Sequence, residues 1–161
     1  MSLPFFQPHP LRALRRWLAV AACLFGASAA QAQTLTSTVG LSFGSFVANT
    51  GGSIAVNAAS GRSKTGGLFL MPQGSGTAAQ FTVSGTADAV YAITLPADGT
   101  VFLSSGSHRM AINGFTSSPS VTGKLSLGGT QPLSIGATLT VDSAQTPGSY
   151  AGSFPVTLNY N

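Results

Sequence analysis

The 161-residue sequence contains no glutamate, and Asp88, Asp98 and Asp142 are its only acidic residues. Each aspartate stands beside turn-forming residues, where a carboxylate bonds nearby backbone. A carboxylate pair for acid–base catalysis could come only from residues far apart in sequence. Cysteine occurs once, as Cys23, and tryptophan once, as Trp17. Both fall in the N-terminal segment, so the rest of the chain has neither a disulfide nor a reactive thiol. Of the two histidines, only His108 lies beyond that segment. A lone histidine does not make a zinc site, which wants three or four ligands. Gly40-Leu41-Ser42-Phe43-Gly44 is spelled G-x-S-x-G but has no helical pattern after it to form a nucleophile elbow, and Gly61-Arg62-Ser63-Lys64-Thr65-Gly66-Gly67 lacks the spacing and the helix of a phosphate loop. Closely spaced acidic residues of the kind that hold calcium are also missing. These absences argue against an enzyme and against any metal or cofactor.

The N-terminal segment reads as an export signal. Arg12, Arg15 and Arg16 precede an apolar run from Trp17 to Phe25, and small residues then lead to Ala30-Gln31-Ala32, an A-x-A cleavage pattern. The run is far shorter than the ~20 residues a membrane-spanning helix needs. Cleavage after Ala32 removes residues 1–32 and leaves 161 less 32, or 129 residues, with no membrane span expected in them. Val20-Ala21-Ala22-Cys23 resembles a lipoprotein box. However, only six residues separate Arg16 from Cys23, fewer than the usual apolar region of about 7–15, and the A-x-A site is better placed. Removing the leader takes three of the seven basic residues, so the net charge falls from +4 to +1. Arg62, Lys64, Arg109 and Lys124 are scattered and make no stripe for phosphates, which excludes nucleic acid as a partner.

Beyond Gln33 the dominant pattern is alternation. Leu41/Phe43, Ile54/Val56, Phe81/Val83, Tyr91/Ile93/Leu95, Leu125/Leu127, Leu139/Val141 and Phe154/Val156/Leu158/Tyr160 recur at every second position, the mark of strands with one buried face. Turn residues punctuate these runs at Asn49–Gly52, Gly74–Gly76, Ala97–Gly99, Asn113-Gly114, Gly128-Gly129 and Pro147-Gly148. The spacing predicts an all-β fold of about nine or ten short strands, an antiparallel immunoglobulin-like β-sandwich filling residues 33–161 as one domain. Tyr150, just after Pro147-Gly148, suits a tyrosine corner, and all three tyrosines read as structural.

The two ends stand out. The final run, Gly152 to Asn161, reads as a strand, with Pro155 suited to an edge position. The segment from Thr34 to Phe43 also reads as extended, with Leu35, Val39, Leu41 and Phe43 in one register and Ser37 interrupting it. Either this segment is the domain's own first strand, or residues 33–40 form a donor arm that adds to a neighbour's sheet edge. Leu35, Val39, Leu41, Phe43, Phe154, Val156, Leu158 and Tyr160 are the candidate assembly surface. Faces clothed in serine and threonine leave strand edges without charged protection against such pairing.

Taken as a set, Leu41–Phe46, Gly61–Ser63 with Thr65–Gly67, Gly114–Thr116, Gln131–Leu139 and Gly148–Phe154 through Asn161 resemble the bacterial domain-of-unknown-function 4402 family across the whole chain after the leader. That family is similar to fimbrial, pilin-like immunoglobulin-fold subunits and, more loosely, to spore-coat-protein-U-like secreted domains. The resemblance implies a Gram-negative envelope, passage through the periplasm to the cell surface or a fimbria, a periplasmic chaperone and usher, and like subunits joined by strand exchange. It brings no catalytic or ligand residues. The expectation is therefore a non-enzymatic fibre subunit. The alternative is a self-contained secreted or periplasmic module for adhesion or carbohydrate binding.

Overall fold

The computed structural model describes residues 33–160. The expected leader, its cleavage site and Cys23 lie outside these residues, as does Asn161. The described residues form ten strands: β1 (Thr34–Val39), β2 (Phe46–Val56), β3 (Arg62–Leu70), β4 (Ala79–Ser84), β5 (Val90–Thr94), β6 (Val101–Ser105), β7 (His108–Ser118), β8 (Thr122–Lys124), β9 (Thr130–Val141) and β10 (Thr157–Tyr160). All ladders are antiparallel. The all-β sandwich expected from the alternation is the fold observed. No helix among the described residues is long and apolar enough to cross a membrane.

The longest strand, β9, organises the molecule. On one edge it pairs with β4 through residues 130–135 and then with β2 through residues 137–141. Its other edge carries β7, which in turn carries β6. The strand order β1-β4-β9-β2-β3 thus bends around one central strand, while β10-β5-β8 forms a separate three-stranded sheet. Gly136 sits where β9 changes partner from β4 to β2. A side chain there would run into the Val56 carbonyl and the Asn57–Ala58 backbone.

Alternate residues of β9 face inward, and the core follows from them. Leu133 and Ile135 pack with Ala79, Val83, Tyr91, Ile93 and Leu125. Ala137, Leu139 and Val141 pack with Ile54, Val56, Leu68, Met110, Ile112 and others. Burying a side chain of Val or Leu size contributes roughly 1.5–3 kcal/mol, and these two clusters supply the stability that disulfides provide in many small exported domains.

Several local readings change. Asn49–Gly52 is no turn but a bulge inside β2, where the register with β3 shifts between Ala48 and Gly52. Asn113-Gly114 likewise sits in a bulge of β7, with Gly114 at φ 56°. There the Gly114 N–H donates to Asp98 Oδ1 at 2.7 Å while the Gly99 N–H donates to Asn113 Oδ1 at 2.8 Å. This reciprocal pair satisfies groups that the bulge removes from the ladder. Leu125 is buried as the alternation requires, but Leu127 is 83% exposed. The turn Ser126–Gly129 carries Leu127 out of the strand, with Gly129 N–H bonded to the Ser126 carbonyl.

Alanine at Gly136 forces carbonyl and backbone apart at the partner change and is expected to cost about 1–3 kcal/mol, as overpacking does. Alanine at Gly128, which meets only Ser126 Oγ at 3.6 Å, is expected to stay within about 0.5 kcal/mol. Urea unfolding of both variants checks the contrast.

Candidate functional site

The cover over the two core clusters is uneven. The β10-β5-β8 sheet faces the cluster around Leu133 and Ile135. The cluster around Leu139 is covered by Leu41 and Phe43 of the chain before β2 with Phe46 at its start, and by Tyr150 and Phe154 of the chain before β10. Between these segments lies an open groove of about 830 Å³. Its walls are residues 41–48 and 145–152, with Gly74 at one side. Its floor is Leu103 of β6, Met110 of β7 and Leu139 of β9. No acidic or basic side chain lines it.

Each wall includes a short extended stretch anchored by one isolated bridge. Ser42 exchanges both backbone bonds with Thr77, at 2.9 and 2.8 Å, and Ala151 does the same with Ser104, at 2.8 and 3.1 Å. Backbone groups of successive residues in an extended chain point to opposite edges. The N–H and C=O groups of Phe43 on one wall, and of Tyr150 and Gly152 on the other, therefore turn toward the groove. Among the described residues these three make no backbone–backbone hydrogen bond. Unpaired backbone groups on both walls and an apolar floor bound the groove.

Each wall is fixed by side-chain hydrogen bonds to its own backbone. Arg62, on β3, donates from Nη2 to the Ser45 carbonyl at 2.7 Å and from Nη1 to the Gly74 carbonyl at 3.0 Å. Charge-assisted bonds of this kind are the stronger ones. On the opposite wall the Tyr150 hydroxyl donates to the Thr146 carbonyl at 2.7 Å and accepts from Gln145 Nε2 at 2.7 Å. This bond to backbone four residues upstream is the geometry of a tyrosine corner. Thr146 Oγ1 lies 3.3 Å from His108 Nδ1.

The candidate residues divide between groove and core. Leu41 and Phe43 line the groove wall, and Phe43 is buried. They stand outside any ladder, held only by the Ser42–Thr77 bridge. Leu35, Leu41, Phe154, Val156, Leu158 and Tyr160 pack, half-buried, against the cluster around Tyr91, and Phe154 touches both clusters. Val39 does neither and is 38% exposed, because a bulge between Ser37 and Val39 breaks the register that put it in line with Leu35. The last ladder is also shorter than its alternation: β10 begins at Thr157, after Pro155. Residues 34–39 lie on their own domain, paired with β4 from Thr34↔Ser84 to Val39↔Gln80. β10 pairs with β5 and has no second neighbour among the described residues. Leu103, Met110 and Leu139 belong to the site, although the sequence marks only Leu139 as part of a buried strand face.

In the other cluster, the Tyr91 and Tyr160 rings meet at a tilt with centroids 5.5 Å apart. The Tyr91 hydroxyl donates to Gln131 Oε1 at 2.8 Å. The Tyr160 hydroxyl is buried and has no hydrogen-bond partner among the described residues. Burial raises the pKa of both, and the Tyr160 charge raises that of Tyr91 further.

Fold and groove together define an antiparallel β-sandwich in which an open groove lies over part of the core. Within that class the chain belongs to the family described as domain of unknown function (DUF4402), whose model matches residues 34–160. Comparisons with curated proteins and with solved structures return no match.

Replacing Tyr150 by Phe removes two hydrogen bonds within one wall. The expected loss is about 1–2 kcal/mol, with faster amide exchange across residues 142–152. Tyr160→Phe removes an unpartnered buried hydroxyl and is expected to leave stability at pH 7 unchanged or slightly raised. For both buried tyrosines the folded form stays protonated above their usual value near 10, while the unfolded form ionises there. Stability is therefore full below pH 10 and falls as pH rises beyond it. Tyr160→Phe should make that fall shallower in denaturant titrations at successive pH values.

Proposed function

We propose that this chain is an exported, non-enzymatic structural subunit of a fimbria or surface fibre, joined to a neighbour by β-strand complementation in the groove between residues 41–48 and 145–152. The observation that carries the reading is the inward-facing unpaired backbone at Phe43 and at Tyr150 and Gly152, above an apolar floor. An inserted strand gains backbone bonds on both sides, and alternate side chains meet Leu103, Met110 and Leu139. This is strand addition with pockets for every second residue.

The chemistry of the groove supports a peptide strand over other ligands. It offers no charge for an anion or cation. Tyr150, its aromatic polar group, is engaged through its hydroxyl with Thr146 and Gln145. The carboxylate of Asp98 accepts from Gly114 and that of Asp88 pairs with Lys124 at 2.8 Å, roles that suit structure and not catalysis. During passage through the periplasm the same edges need cover, a task suited to a chaperone that lends a strand before an usher passes the subunit on.

Shearing surface fibres from cells that express the chain, then probing the fraction with antibody to residues 33–161, tests the reading. The expected outcome is the domain in high-molecular-weight fibre material. Recovery only as free soluble protein would count against a fibre and for a self-contained secreted module.

A further inference from the structure

We infer that this chain accepts a strand and does not donate one, so that the segment filling its groove comes from a different polypeptide. The inference rests on the strand-complementation reading and adds a direction to it. The chain's own candidate donor, residues 33–40, is already in use. β1 pairs with β4 from Thr34↔Ser84 to Val39↔Gln80 with one bulge, Thr38 Oγ1 donates to the Gln80 carbonyl at 3.0 Å, and Leu35 packs against the cluster around Tyr91. Leaving β4 to serve a neighbour would open that edge and uncover Leu35's share of the core. Nor can β1 fold into its own groove, because it continues through Gly40 directly into the wall that starts at Leu41.

The arm is also a poor match for the floor. Leu35, Ser37 and Val39 are the alternate residues of β1, which places a hydroxyl in the centre of a face that must meet Leu103, Met110 and Leu139. With a leader removed after Ala32, about seven residues precede Gly40, roughly 23 Å at ~3.3 Å per residue, all of them spent on β4. The occupant the groove fits is an uncharged extended segment with aliphatic side chains at alternate positions. A subunit that takes such a strand and hands none onward stands at one end of a fibre.

Residues 33–161 purified from periplasm give the test. The probes are a ten-residue peptide of alternating valine and threonine with a lysine at each end, and the chain's own residues 33–41 as a peptide. Light scattering is expected to show a monomer at every concentration. Calorimetry is expected to show one valine–threonine peptide bound per chain, at least about tenfold tighter than the chain's own arm. Amide exchange is expected to slow at Phe43, Tyr150 and Gly152. Concentration-dependent ladders that vanish on deleting residues 33–39 would show that the arm donates; the inference then falls and strand complementation stands. A monomer that binds neither peptide, or binds one without protecting those three amides, overturns both.

Discussion

Leu133, Ile135, Ala137, Leu139 and Val141 present one apolar face along the whole of β9, and both core clusters are built on that face. One strand therefore belongs to two neighbourhoods, with β4 beside its first half and β2 beside its second. A strand has only two edges, and β7 occupies the other along residues 134–139. The remaining edge must be divided, and the division falls at Gly136, where the backbone of residues 56–58 comes too close for a side chain. Strand order, the bend of the sheet and the split of the core all follow from that shared strand.

Sharing has a consequence for the opposite layer. The cluster around Leu133 and Ile135 is roofed by a regular sheet, and Tyr91 at its centre is fully buried. The cluster around Leu139 is roofed by two segments, each with a short extended stretch anchored by one bridge, to Thr77 and to Ser104. Hydrophobic burial is non-directional and tolerates an irregular roof. Backbone hydrogen bonding is directional, and each extended segment keeps one edge unsatisfied by protein. Arg62 fixes the first segment through the Ser45 and Gly74 carbonyls, and Tyr150 fixes the second through the Thr146 carbonyl.

Much of this was legible in the sequence. Alternation placed Ile54, Val83, Tyr91, Leu139 and Val141 inside, and Tyr150 was readable as a corner from the Pro147-Gly148 turn before it. The misreadings share a cause. Asn49–Gly52 and Asn113-Gly114 carry residues that suit a turn, and the same residues suit a bulge. Only the partner strand decides which, and for β2 the partner β3 continues past the irregularity. Val39 and Leu127 were placed by extending a period across positions where a bulge or a turn resets it. The groove itself lay beyond reach for a different reason. Period two says that Leu139 faces inward, but whether another strand lies over it depends on segments distant in sequence.

The scarcity of charge gives the groove its mechanical character under the strand-complementation reading. With no ionisable side chain on its floor or walls other than Tyr150, long-range attraction cannot speed the arrival of a partner strand. Association without electrostatic steering proceeds at about 10⁵–10⁶ M⁻¹s⁻¹. Affinity must then come from slow release, and slow release is what a ladder bonded on both edges over an apolar floor supplies, since every backbone pair must part together with the buried side chains. Salt screens exposed charges strongly and apolar contacts hardly at all, so such a joint keeps its strength where ionic strength is uncontrolled. A slow-forming, slow-breaking, salt-indifferent contact is ill suited to signalling and well suited to holding a structure together outside the cell.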